Sequence, residues 1–205
     1  LLGEGIPARP PSFCTGCPER PVFSAMKIVE KDLGPTHIAA DVGCHTFSAL
    51  PPFNLGNTMV GYGLGLASSA AVGPNFGKRV VSIMGDGGFW HNGISSGVAS
   101  ANFNKDDSIL VIMKNGYASA TGWQVIPSSK SSRFGGETGM SIEKTLKGLG
   151  VKWVRSVRTY NVSKMVKTLR RAMTETGKGL KVIIADGECQ LARQRRIRQI
   201  GRAHV

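Results

Sequence analysis

The sequence predicts an α/β fold, a three-layer α/β/α arrangement around a mostly parallel sheet. Short apolar runs of strand length alternate with longer amphipathic stretches, the pattern of strands joined by crossover helices. At 205 residues and 41% hydrophobic, the chain can bury one full core. Its 27 glycines are nearly twice the usual ~7%. They follow no collagen-like period, so they serve turns and close backbone approaches.

The elements follow in order. Pro7–Pro21 is a Pro-rich loop carrying Cys14-x-x-Cys17. Pro18 or Pro21 suits the first turn of a helix, where a missing N–H costs nothing. Val22, Phe23, Met26 and Val29 then recur at helical spacing up to Gly34. Thr36–Val42 reads as a short strand, Gly43–Asn57 as irregular and Val60–Val72 as a helix of small residues. A strand at Arg79–Met84 runs into Gly85-Asp86-Gly87-Gly88. A helix follows to about Phe103, then a strand at Ser108–Met113 and a long polar loop over Gly116–Thr138. Helix, strand, helix and strand are expected at 141–149, 151–157, 162–175 and 180–185. The organisation is a lead-in linker at 1–13, one domain at 14–190 and a basic tail, or the start of a following segment, at 191–205. The chain opens without Met and ends in a basic run, so it reads as a piece of a longer polypeptide. The residues after Arg198 fit no pattern.

The net charge of +13 is uneven. Residues 1–140 hold ten Lys/Arg against nine Asp/Glu, and residues 141–205 hold sixteen against four. Lys144, Lys147, Lys164, Lys167, Arg170 and Arg171 fall on helices, either as solvated faces or as a docking face for an acidic partner. No aromatic stacking set or recognition motif accompanies them, which argues against nucleic acid. The longest apolar stretch, Leu55–Val72, is broken by polar residues and glycines, so no membrane span is expected. No basic-then-apolar leader is present either.

The most informative stretch joins the Gly-Asp-Gly-Gly strand end to a second strand ending in Lys114-Asn115-Gly116. In a right-handed βαβ unit both strands deliver their carboxyl ends to one sheet edge. Asp86 and Asn115 then face each other there. A carboxylate, an amide oxygen and a nearby backbone carbonyl are hard donors suited to Mg²⁺. Gly85, Gly87 and Gly88 admit a diphosphate to the backbone, and the following helix N-terminus adds N–H donors. GYGLG at 61–65 is one residue short of a dinucleotide fingerprint and follows no clear strand, so close helix packing is its expected use. Spacing leaves Cys14, Cys17, Cys44 and Cys189 open to three readings: a structural Zn²⁺, a [4Fe–4S] cluster, or a pair with two buried thiols. Disulfides fit poorly with an intracellular cofactor enzyme.

The strand–GDG–helix–strand–Asn arrangement is similar to the thiamine-diphosphate motif, a resemblance that places Mg²⁺ on Asp86, Asn115 and the Tyr117 carbonyl. With CTGCPERPVFSAMK, ADVGCHTFSALPPFNLGNT, GDGGFWHNG, NGYASATG and ECQLARQRR, the chain resembles the thiamine-diphosphate part of the 2-oxoacid:ferredoxin oxidoreductases over about 14–198. Within that family its closest likeness is to the indolepyruvate branch. Two positions depart from the family pattern: Lys114 stands where an acid is usual and Trp123 where a small residue is usual. Neither removes a metal ligand.

The resemblance implies a thiamine-diphosphate-binding fold and oxidative decarboxylation of an aryl 2-oxoacid to its acyl-CoA, with electrons passed to ferredoxin. It implies three cofactors: thiamine diphosphate, Mg²⁺ and a [4Fe–4S] cluster on Cys14, Cys17, Cys44 and Cys189. It also implies coenzyme A as acyl acceptor, a separate pyrimidine-binding domain supplying the activating Glu, an oligomer and a cytoplasmic location. His45 and His91 lie on segments expected to meet the cofactor and are the candidates to donate a proton or hydrogen bond to the 2-oxoacid; His37 is expected to be structural. Phe89 and Trp90 either line an aryl pocket or belong to the core. Two rivals remain: a non-redox thiamine-diphosphate decarboxylase or synthase with zinc on the cysteines, and a non-catalytic basic α/β binding module.

Overall fold

The computed structural model describes residue 5 and residues 10–197, apart from 131, 133, 137 and 138. Most of the lead-in linker, the tail from 198 and His204 lie outside the described residues. Helix α1 (Glu19–Leu33) begins after Pro18 and buries Val22, Phe23, Met26 and Val29 along one face. Gly34 ends it at φ 76°, with its N–H on the Glu30 carbonyl.

Strands β1 (Ile38–Ala40), β2 (Thr58–Met59), β3 (Val81–Gly85), β4 (Ile109–Lys114), β7 (Trp153–Arg158) and β8 (Lys181–Asp186) form one sheet. Its order is β2-β1-β3-β4-β8-β7, with every neighbouring pair parallel. Side chains alternate between two cores. Val81, Ile83, Val111, Met113 and Ile183 pack with α1 and α6 (Val162–Thr174). Met84, Leu110, Ile112, Val182 and Ile184 pack on the other face against Leu66 of α2 (Gly65–Val72), Phe89, Val98 and α5 (Ile142–Gly148). With both faces covered, these strands are apolar at most positions, buried Ser82 of β3 and the strand ends excepted, which is why they read as apolar runs. The three expected layers are present.

Between β3 and β4, α3 (Asp86–Gly88) continues into a π-wound stretch, Phe89–Ala99, and α4 (Ser100–Phe103). Phe89 is fully buried in the core, and half-buried Trp90 donates to Ser128 Oγ at 2.8 Å. Neither is among the residues lining the cleft at the carboxyl edge of the sheet. The six basic residues of α5 and α6 are exposed. The Asn161 side chain caps α6 by accepting from the Lys164 N–H at 3.0 Å.

Two segments are more ordered than the sequence suggested. Gly43–Asn57 contains a 3-10 helix, Cys44–Ala49. The polar loop after Gly116 holds an antiparallel hairpin, β5 (Tyr117–Ala118) with β6 (Gln124–Val125). Side chains close that hairpin: Thr121 Oγ1 donates to Gln124 Oε1 at 2.7 Å, and Gln124 Nε2 donates to the Thr121 carbonyl at 2.8 Å. A last helix, α7 (Gln190–Ile197), runs from the expected domain end at 190 into the segment read as a basic tail.

At the amino-terminal edge of the sheet, Asp107 Oδ1 accepts from Arg79 Nε at 2.8 Å and from Lys181 Nζ at 3.1 Å. Arg79 also donates to the Ala172 and Met173 carbonyls at the end of α6. Lys181, only 2% exposed, spends its other donors on the Gly177 and Gly179 carbonyls. Burial opposes the charge on Asp107, but the two cations outweigh it and hold its carboxyl below the usual range. No helix among the described residues is long and apolar enough to cross a membrane.

Candidate functional site

At the opposite edge, where the strands deliver their carboxyl ends, lies a cleft of about 410 Å³. The ends of β3 and β4, the first strand of the hairpin, the start of the 3-10 helix and Glu19 of α1 wall it. Asp86, Asn115, Tyr117 and His45 all line it, as do Gly85, Gly87, Gly88 and Cys44. Open α/β sheets bind ligands at this edge because loops and helix N-termini converge there.

Parallel pairing of β3 with β4, with Gly85 opposite Met113, brings Asp86 to Asn115 across 29 residues of sequence. Asp86 is fully buried, and its Oδ2 accepts from the Asn115 N–H at 2.9 Å and the Gly116 N–H at 2.6 Å. Its Oδ1 accepts from the Gly87 N–H at 3.1 Å. Burial still dominates those donors and pushes the carboxyl up to about 7. A carboxylate offers about four lone-pair sites, so these three N–H bonds leave it capacity for a cation. Asn115 Oδ1 and the Tyr117 carbonyl converge on one hydroxyl, Ser119 Oγ, at 3.0 and 3.4 Å.

Two convergent oxygens beside an unneutralised carboxylate are a donor set that fits a divalent cation. No Lys or Arg is among the described residues lining the cleft. An anionic ligand there would therefore rely on backbone N–H groups and a bound cation.

His45 is 1% exposed and ion-paired with Asp41. Its Nε2 also lies 3.1 Å from the Asp41 carbonyl. Burial opposes a charge on the imidazole, but Asp41 and Glu19 outweigh it and hold His45 above its ordinary value. With Nε2 committed to Asp41, Nδ1 is the remaining nitrogen; a Cβ at Gly85 would lie 4.0 Å from it. His91 is placed differently. It is exposed, does not line the cleft and reaches it only through ring contact with Tyr62 at 5.1 Å. His37 is half-buried against Thr58 and Phe76, as a structural histidine would be.

Asp41, Glu19 and Tyr62 were not foreseen. Asp41 is fully buried, and its Oδ2 accepts from the Gly63 N–H at 2.8 Å. A Cβ at Gly88 would collide with that same oxygen, and one at Gly87 with the Tyr62 hydroxyl. The glycines of the turn thus serve the protein's own packing as well as any ligand. Gly63, at φ +79, lets its backbone approach the Gly88 carbonyl, which gives GYGLG a packing role. Asp41 has a sequence signal in hindsight, an acid four residues before a His with a glycine turn between.

Three stretches of the chain bring the four cysteines near one another, and Cys44 lines the cleft. Charge on Cys44 or Cys14 registers on Cys17, and charge on Cys189 or Cys14 registers on Cys44. Burial, with Glu19 adding to it, pushes Cys17 and Cys44 up to about 12. Four soft sulfur donors suit a metal group in composition. As the side chains stand, no three His, Cys, Asp or Glu among the described residues are placed to hold a metal.

Residues 41–185 match the family model of the thiamine pyrophosphate enzyme C-terminal TPP-binding domain. The chain is 33% identical over 203 residues to indolepyruvate oxidoreductase subunit IorA of Archaeoglobus fulgidus, covering 98% of this chain and 32% of that protein. The same subunit from Methanothermobacter thermautotrophicus is 31% identical over 192 residues, covering 91% of this chain and 31% of that protein. The chain thus spans about a third of the length of these relatives. A solved 2-oxoglutarate:ferredoxin oxidoreductase from Magnetococcus marinus, with 2-oxoglutarate, coenzyme A and succinyl-CoA bound, superposes with a TM-score of 0.75. At 21% identity, covering 89% of this chain and 65% of that one, it shows the shared fold.

Proposed function

The chain belongs to the thiamine pyrophosphate enzymes through their C-terminal TPP-binding domain, and from that premise we propose that it is the diphosphate- and metal-holding part of an aryl 2-oxoacid oxidoreductase. The substrate proposed is indolepyruvate or a close aryl analogue, converted to its acyl-CoA with electrons delivered to ferredoxin. The observation that carries the reading is the meeting of Asp86 and Asn115 over a glycine turn in the carboxyl-edge cleft.

When bound, thiamine diphosphate supplies the electron sink for decarboxylation of a 2-oxoacid. The chain's own residues do the rest of the work assigned to them. Asp86, Asn115 and the Tyr117 carbonyl hold Mg²⁺. N–H groups at the turn face the diphosphate, and with no Lys or Arg among the described lining residues the metal is assigned as the main counter-charge. His45 holds a proton at Nδ1, with Asp41 fixing its ring through Nε2. Its burial makes it a better candidate for that task than exposed His91. Cys14, Cys17, Cys44 and Cys189 are assigned to a [4Fe–4S] cluster, a reading supported by the proximity of these thiols from three stretches of the chain. The activating Glu against the aminopyrimidine belongs to a separate pyrimidine-binding domain. The assembled enzyme is proposed to be an oligomer in the cytoplasm.

The test uses the full-length, assembled enzyme purified without oxygen. Thiamine diphosphate affinity is titrated with and without Mg²⁺, and iron, sulfide and zinc are measured on the same sample. The expected outcome is Mg²⁺-dependent binding and about four irons per chain. Zinc with Mg²⁺-dependent binding would leave a non-redox thiamine enzyme. Loss of binding altogether would remove the reading.

A further inference from the structure

Glu19 opens α1, where an acid usually sits in solvent near the positive end of the helix. Here it is 3% exposed, and Oε2 is buried without a hydrogen-bond partner. The residue lines the cleft. A helix-end role explains neither its burial nor its missing donor, because a surface carboxylate would be satisfied by water.

The charged and titratable groups that face it come from every neighbouring segment. His45 and Asp41 act on it from the 3-10 helix and the end of β1. Asp86 feels its charge from the end of β3, and the thiols of Cys17 and Cys44 feel it from the other side. The one imidazole in this set is already paired with Asp41. Two buried carboxylates therefore share one imidazole, and no Lys or Arg lines the cleft among the described residues. Burial, with Asp41 adding to it, raises the Glu19 carboxyl against the opposing pull of His45, so its charged form is costly to keep without a further positive partner. A metal on Asp86 and Asn115 compensates Asp86 and leaves Glu19 still short of a positive partner.

We propose that Glu19 is a binding residue for a cationic ring in the cleft, the thiazolium of thiamine diphosphate. This inference rests on the thiamine reading above. The thiazolium is a permanent cation, so the match does not depend on a proton. The interaction acts through space in a site of low polarity, where charge counts for more than in water.

The experiment measures equilibrium binding to the assembled, cofactor-stripped enzyme in Mg²⁺. Two ligands are compared: thiamine diphosphate and its neutral isostere with thiophene in place of thiazolium. Glu19→Gln keeps the shape and removes the charge. It should weaken thiamine diphosphate binding by about tenfold and leave the neutral analogue within about twofold. Glu19→Asp, which keeps the charge, should retain most of the preference for the charged ring, and it covers the case in which the Gln variant fails to fold. Equal loss for both ligands, or no loss for either, overturns the role of Glu19 while leaving the thiamine reading intact. A wild-type enzyme that binds neither ligand overturns both.

Discussion

Two carboxylates at opposite edges of one sheet differ in what the protein provides for them. Asp107, at the amino edge, is gripped by Arg79 and Lys181 and held below the usual carboxylate range. Asp86, at the carboxyl edge, meets only backbone N–H groups and is pushed up to about 7. The first edge is closed: its cations come from the chain, and Lys181 spends its hydrogens on three acceptors. The second edge gathers Asp86, Asp41 and Glu19 around one imidazole. A fold that balances charge at one end and leaves it unbalanced at the other fits the proposed binding of a cation-carrying ligand at the unbalanced end.

The strongest way to break this comparison is at Asp86. Asp86→Asn keeps an acceptor for the Asn115 and Gly116 N–H groups, gives up the oxygen used by the Gly87 N–H, and removes the charge proposed to hold a metal. Losing an outer partner of a metal site costs about 10–100-fold in affinity, so losing a ligand should weaken Mg²⁺-dependent thiamine diphosphate binding on the order of 10³-fold. Thermal stability without ligand should fall by no more than the roughly 1–3 kcal/mol that one unsatisfied buried N–H costs. Titration of ligand with and without Mg²⁺ checks this. An unchanged affinity would show that the carboxyl edge needs no cation.

At the amino edge the corresponding change should be felt as stability and not as binding. Lys181→Met leaves Asp107 with Arg79 alone, strips the Gly179 carbonyl of its Lys181 donor and leaves the Gly177 carbonyl with Arg79 Nη2. Breaking a buried pair costs about 3–5 kcal/mol, and the partial exposure of Asp107 puts this one near about 3 kcal/mol. At about 2–4 °C per kcal/mol for a chain of this size, melting should fall by about 6–12 °C. Ligand affinity in the surviving folded protein should stay within about twofold by independence of distant sites. A large loss of affinity would mean the two edges are coupled.

Acid sharpens the same contrast. The folded carboxyl of Asp107 is held below its unfolded value, which is about 3.9. Its contribution to stability is therefore present above that pH and lost as pH falls through the lowered folded value. Urea midpoints measured from pH 6 down to pH 2 should drop more steeply in wild type than in Asp107→Asn. Parallel curves for the two proteins would show that the amino-edge pairing contributes nothing.

The sequence made these edges unequally legible. The β3 and β4 runs, the glycine turn and Asn115 announced the carboxyl edge because each is a local pattern: apolar stretches, a strand-ending turn, a fixed crossover interval. The amphipathic period of α6 was equally plain. Asp41 and Glu19 escaped because each is a single acid whose meaning depends on what folds over it. Glu19 is defined by the burial that α1 imposes, and Asp41 by a chain reversal at Gly43 that brings His45 back onto it. The hairpin at β5 and β6 was hidden for another reason. Its closure depends on the Thr121 and Gln124 side chains, not on the alternation by which strands are read. Asp107 stayed invisible because its partners stand 28 and 74 residues away.

The smallest effect, and the finest test of the contrast, lies at Ser119. Its hydroxyl stands where Asn115 Oδ1 and the Tyr117 carbonyl converge, at 3.0 and 3.4 Å. If the carboxyl edge awaits a cation, that hydroxyl holds two ligand oxygens in place only until the metal takes them over. Ser119→Ala should then cost about 1 kcal/mol, the net worth of an ordinary hydrogen bond, in the metal-free protein. Melting curves with saturating Mg²⁺ and thiamine diphosphate should show most of that deficit recovered. A deficit that persists unchanged in the loaded enzyme would mean that Asn115 and Tyr117 keep their hydroxyl partner and do not serve the metal. The carboxyl edge would then be closed in its own way, like the amino edge, with Asp86 alone left open.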